Sequence, residues 1–231
     1  MTRIATALAD LVLGARCAGC GVPAVGLCPD CAAVVAASRP LAATRALAGC
    51  PVTMAAGEYS GQLRRVLIAA KQRGGLTHLP LLSRLLARAV AALLLTRPPT
   101  GRVMLVPVPT VRARVLERGL DLTAVLARRA AGELAGCGLA VVARPVVELA
   151  RIPADQVGLG RRQRTANAAG AYRCRGPVPA GSVVVVDDIV TTGSTLVAMA
   201  AALRQAGVEP LGAATVAQTP RRGGPQAPAS L

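Results

Sequence analysis

The sequence predicts an α/β fold: a largely parallel sheet flanked by helices, with a small N-terminal module that carries four cysteines. From about residue 51, short apolar segments alternate with longer ones whose apolar residues recur at helical spacing. Strands that alternate with helices are joined by right-handed crossovers, and the sheet is then parallel. Before residue 51 this alternation is missing and two Cys-x-x-Cys pairs occur. We therefore expect a cysteine module over 1–50, a core over 51–217 and a disordered Pro/Gly-rich tail over 218–231.

The elements of the core follow one another along the chain. Gly74 and Gly75 end the first helix, and the two prolines after Arg97 end the second. The predicted helices span 61–75, 78–95, 120–136 and 194–207. The predicted strands or strand regions span 102–109, 141–150, 171–174, 182–188 and 210–219. Residues 151–170 are basic, contain glycine and lack periodicity, which predicts a long loop.

The composition restricts the class of protein. The 231 residues include no Phe, no Trp and only two Tyr, so an aromatic platform for stacking single-stranded bases is missing. Closely spaced Cys pairs fit a reducing cytosol better than a disulfide framework, and we expect a cytoplasmic protein. Asp10 interrupts the apolar start of the chain, which indicates a short first helix rather than a signal peptide. No segment reaches the ~18 consecutive apolar residues of a membrane span.

The net charge of +16 comes from 27 basic and 11 acidic residues. Two explanations stay open: a GC-rich coding sequence that enriches Ala and Arg together, or an anionic partner such as phosphate, pyrophosphate, nucleic acid or an acidic membrane surface. Only one of the basic residues, Lys71, is a lysine. Because Arg has replaced Lys elsewhere, we expect Lys71 to need the compact, movable ammonium that Arg cannot supply.

The stretch VVVVDDIVTTGST, residues 183–195, carries the clearest functional signal. An unbroken valine run is typical of a central strand covered on both faces, and it places Asp187 and Asp188 at the carboxyl end of that strand. If the strand turns there, both carboxylates converge on one ligand. Ionised carboxylates only accept hydrogen bonds, so they suit a vicinal diol or hydrated Mg²⁺.

The small residues that follow predict a phosphate site. Gly193 allows a tight turn, small side chains leave backbone N–H groups uncovered, and the next helix adds the positive partial charge of its N-terminus. A diol site beside a phosphate site describes a ribose 5-phosphate. The alternative is an ordinary strand–turn–helix in which Ser194 or Thr192 is the N-cap, but a cap needs one hydroxyl and no acidic pair.

This stretch resembles the phosphoribosyl-pyrophosphate (PRPP) signature of type I phosphoribosyltransferases. The resemblance implies that Asp187 and Asp188 hold the ribose 2′- and 3′-hydroxyls. It also implies that the 5′-phosphate is held by Thr191, Thr192, Gly193, Ser194 and Thr195. With Lys71, the two aspartates are the candidate catalytic residues.

A second block, VPVPTVRARVLERGLDLTAVLA at 106–127, resembles a region of the ComF family. Further matches are K-x-x-G at 71–74, Q-x-x-L at 156–159 and R-x-x-N at 164–167. That family joins an N-terminal zinc module to a phosphoribosyltransferase core and is linked to DNA uptake in natural competence. Where relatives have RGFNQ this chain has RGLDL at 118–122, so an aromatic and two amides are lost and Asp121 is gained.

Basic and proline-rich loops are candidates for binding pyrophosphate. The strand ending in Pro107 and Val108 predicts a stiff loop with exposed amides, and Arg114 and Arg118 add charge-assisted donors. Arg164, in the glycine-containing loop, is placed to close over the pyrophosphate and exclude water. The alternatives are a solvated basic helix start and an ordinary mobile surface loop.

The spacing of Cys17, Cys20, Cys28 and Cys31 predicts a structural zinc site, because two Cys-x-x-Cys turns supply four thiolates in a tetrahedron. A redox role or a chance arrangement are the alternatives. Cys50 lacks a partner pair in the sequence.

Three functions follow as hypotheses. The first is transfer of ribose 5-phosphate from PRPP·Mg²⁺ to an acceptor that the sequence does not identify, with release of pyrophosphate. The second is a module that senses PRPP or a nucleotide without turnover and works with DNA-uptake proteins. The third is direct binding of DNA, including single strands, by the basic surface, with a steep dependence on salt.

Overall fold

The computed structural model describes residues 15–43, 48–72, 75–150 and 170–220. The expected first helix, Gly74 of the K-x-x-G match, the basic loop with Arg164 and most of the expected tail lie outside the described residues.

Helices and strands both occur from residue 53 onward, but they do not alternate strictly: four strands between residues 141 and 190 follow one another with no described helix between them. The α-helices are α1 (Pro29–Ala36), α2 (Gly61–Ala70), α3 (Leu79–Thr96), α4 (Arg112–Arg118), α5 (Leu122–Gly136) and α6 (Ser194–Gln205), and a 3₁₀ helix, Gly75–His78, precedes α3. The strands are β1 (Leu41–Ala42), β2 (Thr53–Ala55), β3 (Val103–Pro107), β4 (Val141–Ala143), β5 (Val147–Leu149), β6 (Tyr172–Cys174), β7 (Ser182–Val190) and β8 (Gly212–Gln218).

The main sheet has six strands in the order β1-β2-β8-β7-β3-β4. All of its neighbouring strands are parallel except β1 and β2, so the predicted helix-flanked α/β sheet is confirmed. Strands β5 and β6 form a separate antiparallel pair. Strand β1, which lies before residue 50, is an edge strand of the main sheet, so the N-terminal part of the chain contributes to that sheet.

Strand β7 divides the core into two layers, which explains its run of valines. Val184 and Val186 pack in the cluster that includes residues of α2, α3 and α5. Val183 and Val185 pack on the opposite face with Met199 and Leu203 of α6. Both faces of this central strand are covered, so neither tolerates a polar residue there. Fully burying one such side chain contributes about 1.5–3 kcal/mol.

Strand β7 is longer than the sequence suggests. It was expected to end at Asp188, but it continues to Val190 because β8 pairs with it as far as Gln218. Its other neighbour, β3, ends at Pro107 opposite Val186. The last residues of β7 therefore have a neighbouring strand on one side only, and the acidic pair lies beside this open edge.

Within the described residues, one helical segment, 75–96, is long and apolar enough to cross a membrane. More than half of its most apolar stretch is buried inside the fold, where Leu82, Leu86 and Leu93 are fully covered. Burial of this kind is typical of the core helix of a globular domain.

Candidate functional site

The acidic pair lies where the side-chain alternation of β7 shifts. Val184 and Val186 pack in one core cluster and Val183 and Val185 in the other, but Ile189 packs with the first cluster and Val190 with the second, the reverse of a regular strand. The paired residues of β7 and β8 also skip Asp188. The strand itself continues to Val190 instead of turning at Asp188.

Asp188 forms an ion pair with the sole lysine of the chain. Lys71 Nζ lies 2.7 Å from Asp188 Oδ2, and the two side chains are 29% and 15% exposed. Lys71 is the C-cap residue of α2, whose buried face of Leu63, Val66 and Leu67 fixes the helix against the core. The structure therefore brings together two of the predicted catalytic residues that are 117 positions apart in the sequence, 71 and 188.

The chain turns sharply just after Lys71, and Gly75 makes this turn possible. Gly75 is buried, and a Cβ atom there would lie 2.5 Å from the carbonyl oxygen of Ala69. The backbone thus packs directly on the last turn of α2. Gly75, seen in the sequence only as a helix stop, is needed to hold the segment that carries Lys71.

Asp187 has an unusual protonation equilibrium. Burial and, next, the neighbouring Asp188 carboxylate raise the pKa of Asp187 to about 8, although the backbone N–H of Asp188 donates to Asp187 Oδ1 at 2.8 Å. Burial and then the Asp187 carboxylate raise the pKa of Tyr172 to about 12. Asp187 is therefore mainly protonated at neutral pH and can donate as well as accept a hydrogen bond.

The turn after β7 leads directly into the first turn of α6. Gly193 is the N-cap residue with φ of +82°, in the left-handed region, and no side chain caps the helix. Thr192 Oγ1 lies 3.1 Å from Ser194 Oγ and accepts only a long contact, 3.4 Å, from the Ser194 N–H. The ordinary capped turn therefore fails as an explanation, because a glycine holds the N-cap position. The first-turn N–H groups are placed to receive an anion.

The loop after β3 differs from the expectation of exposed amides. Pro107 has no N–H, and the Val108 N–H donates to the Val186 carbonyl at 2.9 Å. Farther along, Thr110 Oγ1 donates to Asp121 Oδ1 at 2.9 Å, and Asp121 also accepts from the Ala124 N–H as the N-cap of α5. The acid that departs from RGFNQ thus fixes this loop to a helix.

The predicted pyrophosphate residues Arg114 and Arg118 lie on α4, a short helix without a buried residue. Arg114 is exposed and Arg118 is half-buried. Arg164 lies outside the described residues.

The four cysteines form a cluster that fits a metal ion. The Sγ atoms of Cys17, Cys20, Cys28 and Cys31 all lie within 4.8 Å of one another. Tetrahedral zinc with Zn–S bonds of ~2.3 Å needs S···S separations of about 3.8 Å, and Cys20 Sγ and Cys28 Sγ are 3.6 Å apart. The geometry and the soft thiolate donors therefore suit zinc.

Backbone groups support the cluster electrostatically. The N–H groups of Gly19 and Cys28 each donate to Cys17 Sγ at 3.3 Å. Burial opposes ionisation of Cys17, but the backbone donors of Cys28, Cys20 and Gly19 outweigh it and lower the pKa of Cys17 to about 6. A Cβ atom at Gly19 would lie 2.5 Å from Cys31 Sγ, so only glycine fits between the two cysteine turns.

A comparison with protein families bears on the class of the site. Residues 115–228 match the phosphoribosyl transferase domain. The matched segment includes the acidic pair, the Gly193 turn and α6, and the mostly parallel sheet is that of a type I phosphoribosyltransferase. The match supports a PRPP-binding protein of the phosphoribosyltransferase superfamily. A search of curated proteins gave no significant match.

Tyr172 is a residue of this phosphoribosyl transferase domain that the sequence analysis did not single out. It lies on β6, is half-buried, and faces the Asp187 side of β7. The composition contained a signal, because Tyr172 is one of only two aromatic residues in the chain. Its place near Asp187 depends on the β5–β6 pair, and local sequence patterns do not specify where that pair packs.

Proposed function

We propose that this protein binds PRPP with Mg²⁺ and transfers its ribose 5-phosphate to an acceptor nucleophile, releasing pyrophosphate. The observation that carries the proposal is the placement of the acidic pair, Asp187 and Asp188, directly before the Gly193 turn and the uncapped N-terminus of α6. Both parts lie within the segment that matches the phosphoribosyl transferase domain.

The 5′-phosphate would bind at the turn. The residues for this role are Thr191, Thr192, Gly193, Ser194 and Thr195. Their backbone N–H groups and hydroxyls suit a dianion, and the α6 macrodipole adds about 0.3–1 kcal/mol for a charge at its N-terminus. The paired hydroxyls of Thr192 and Ser194 are close enough to contact one phosphate oxygen together.

The ribose hydroxyls would bind at the acidic pair. Asp188 is charge-balanced by Lys71, and Asp187 carries a proton at neutral pH, so the pair presents less negative charge to PRPP than two free carboxylates would. Lys71 lies next to the diol site and would present its ammonium to the leaving pyrophosphate. An ammonium is a compact charge that can move between two anions, which is the reason for a lysine here.

The transfer step is a substitution at C1′. The bond from C1′ to the pyrophosphate oxygen breaks, its electron pair leaves with pyrophosphate, and a lone pair of the acceptor forms the new bond on the opposite face. Mg²⁺ bound with PRPP would supply positive charge to the leaving pyrophosphate. The described residues orient the sugar and balance charge, which are the contributions expected of this protein. We assign no general base.

The cysteine cluster would hold a structural zinc ion. The ligands proposed are Cys17, Cys20, Cys28 and Cys31, whose Sγ atoms all lie within 4.8 Å of one another. Together with the block at 106–127 and the K-x-x-G motif, this module is the basis for proposing membership of the ComF family and a role in DNA uptake. Candidate partners in that role are single-stranded DNA and DNA-uptake proteins.

A second candidate function is PRPP binding without turnover. It is favoured by Asp121, whose carboxylate caps α5 and holds Thr110 where relatives carry an amide. If that amide contacts the substrate in relatives, the contact has no equivalent in this arrangement.

Pyrophosphate release in single-turnover assays tests the proposal. Zinc-loaded protein is mixed with PRPP, Mg²⁺ and each common nucleobase in turn, and the Asp187→Asn/Asp188→Asn variant is the control. Release that depends on one acceptor and is lost in the variant supports transfer. PRPP binding without release from any acceptor supports the non-catalytic function and rejects the transferase.

A further inference from the structure

We propose that Arg65 is a positioning residue that connects the cysteine module to Lys71 and so sets the geometry of the Lys71–Asp188 pair. This role concerns the position of Lys71 and deepens the proposed function. The effect expected on PRPP binding rests on that function. The role of Arg65 follows from two contacts between the cysteine module and the segment 61–78.

The first contact is a hydrogen bond from Arg65 to the centre of the cysteine cluster. Arg65 Nη1 donates to the carbonyl oxygen of Gly19. The Gly19 N–H donates to Cys17 Sγ, and the Gly19 backbone packs on Cys31 Sγ. The guanidinium therefore holds the peptide around which the ligand turn is built.

Helix α2 carries this contact to the candidate site. Arg65 and Lys71 are six residues apart, about 9 Å along a helix axis. Lys71 ends the helix, with its N–H donating to the Ile68 carbonyl at 3.1 Å. Leu63, Val66, Leu67 and Ala70 hold the inner face of α2 against the core, and the contact of Arg65 restrains the outer side of the same helix.

The second contact lies on the far side of Lys71. A Cβ atom at Gly26 would lie only 3.3 Å from the Thr77 side chain, so the second cysteine turn touches the 3₁₀ helix directly. That helix begins at Gly75, which packs on the last turn of α2. The cysteine module therefore contacts the chain on both sides of Lys71, at Arg65 and at Thr77.

The metal state of the module consequently affects the candidate site. Four-cysteine modules of this size depend on their metal for folding. Without the folded turn, the Gly19 carbonyl no longer accepts a hydrogen bond from Arg65, and the outer side of α2 loses this restraint. The Lys71 ammonium is then less restrained against Asp188.

The test uses Lys71 as a built-in probe, because it is the only lysine in the chain. The rate at which an amine-reactive ester acylates Lys71 is measured by peptide mass spectrometry in the zinc-loaded, full-length protein. An ammonium held in an ion pair reacts slowly. Arg65→Ala should raise the acylation rate by about threefold, the size expected when a partly exposed contact is lost.

Two control variants match the change in charge. Arg64 is the neighbouring arginine on α2, and its guanidinium carbon lies over the Tyr59 ring, 5.9 Å from the ring centroid. Arg88, on α3, donates to the carbonyls of Ala36 and Ser38, both at 2.6 Å, so it contacts the N-terminal region without touching α2. Arg64→Ala and Arg88→Ala should leave the acylation rate unchanged. If Arg65→Ala does not fold, Arg65→Gln provides the same measurement with part of the aliphatic side chain retained.

A double-mutant cycle on PRPP affinity separates positioning from a general loss of structure. Arg65→Ala should weaken PRPP binding in the wild-type background and have no further effect in the Lys71→Ala background. Equal acylation rates in wild type and Arg65→Ala, or additive losses of affinity, overturn the inference even when PRPP binds. If Lys71 is acylated faster in Arg65→Ala than in wild type, but wild type does not bind PRPP, the coupling between Arg65 and Lys71 stands and the proposed function is rejected.

Discussion

Lys71 Nζ lies 2.7 Å from Asp188 Oδ2, an ion pair that joins the end of helix α2 to the central strand β7. One partner is the only lysine in a chain with 27 basic residues, and the other belongs to the acidic pair of the phosphoribosyl transferase domain. The pair connects two segments that the sequence analysis treated as separate motifs. The short, charge-balancing contact with Asp188, at the edge of the proposed sugar-phosphate site, gives a physical reason for the single lysine.

Replacement of Lys71 should weaken PRPP binding. We expect Lys71→Ala to lower the affinity about tenfold, because a charge-assisted contact contributes about 1.5–3 kcal/mol and its loss leaves Asp188 unbalanced. Lys71→Arg should recover only part of the loss, since the planar guanidinium is larger than the ammonium. Gln72→Ala, an exposed neighbour, is the control. Full affinity in Lys71→Ala, measured by equilibrium binding, would remove Lys71 from the site.

Asp187 should make the protein less stable as the pH rises. Its pKa is about 8 in the folded chain against an ordinary 3.8, so the folded state binds more protons than the unfolded state between these values. The stability from this group is fully present below about pH 4 and is lost as the pH rises through about 8. Asp187→Asn removes the dependence.

The melting temperatures of Asp187→Asn and wild type should therefore diverge from about pH 5 to about pH 8 and then differ by a constant amount. Over this range the variant should gain on the order of 5 kcal/mol of stability relative to wild type, or about 10–20 °C in melting temperature. Calorimetric melting at several pH values measures it. A difference in melting temperature that does not change with pH would mean that Asp187 titrates normally.

Gly193→Ala should impair PRPP binding at the turn before α6. Its φ of +82° costs a residue with a Cβ atom about 1–2 kcal/mol, and relief of that strain rotates the N–H groups proposed to bind the phosphate. Gly207, at the other end of α6, has a similar φ of +78° and open space around it. Gly207→Ala should thus cost comparable stability and leave PRPP affinity intact. Equal affinities for the two variants would argue against a phosphate site at the turn.

Gly19→Ala should lower the affinity of the cysteine cluster for zinc. The added methyl group would lie 2.5 Å from Cys31 Sγ, so one of the two cysteine turns must move. Competition with a chromophoric chelator measures the affinity, and wild type should bind one zinc ion per chain. Val22→Ala changes an exposed side chain in the same turn and serves as the control. Unchanged zinc affinity in Gly19→Ala would contradict the proposed ligand geometry.

Local patterns in the sequence predicted most of the fold. The valine run identified β7 as a central strand because burial on both faces leaves a composition signal that needs no tertiary information. The end of that strand was less predictable. Pairing with β8 extends β7 to Val190, and no residue within 182–190 encodes the length of its neighbour.

The parts of the site that were missed depend on contacts between distant segments. The sequence identified Asp188 and Lys71 separately, but their ion pair arises from the packing of α2 against the sheet. The sequence analysis noted Asp121 only as a residue that replaces an amide of the related motif. In the structure Asp121 is the N-cap of α5. Its position directly before an apolar helix could have indicated this role. The amide of Val108 was expected to be free, but a neighbouring strand accepts its hydrogen bond.

Calorimetric titration of PRPP with Mg²⁺ into the zinc-loaded native chain and into Asp187→Asn/Asp188→Asn tests the central claim most directly. The account predicts saturable binding of one PRPP per chain to the native protein, and at least tenfold weaker binding to the folded variant, because the variant loses the charge-assisted contacts to the ribose hydroxyls. Absence of binding to the folded native protein, or equal binding by the variant, would contradict a sugar-phosphate site at Asp187 and Asp188.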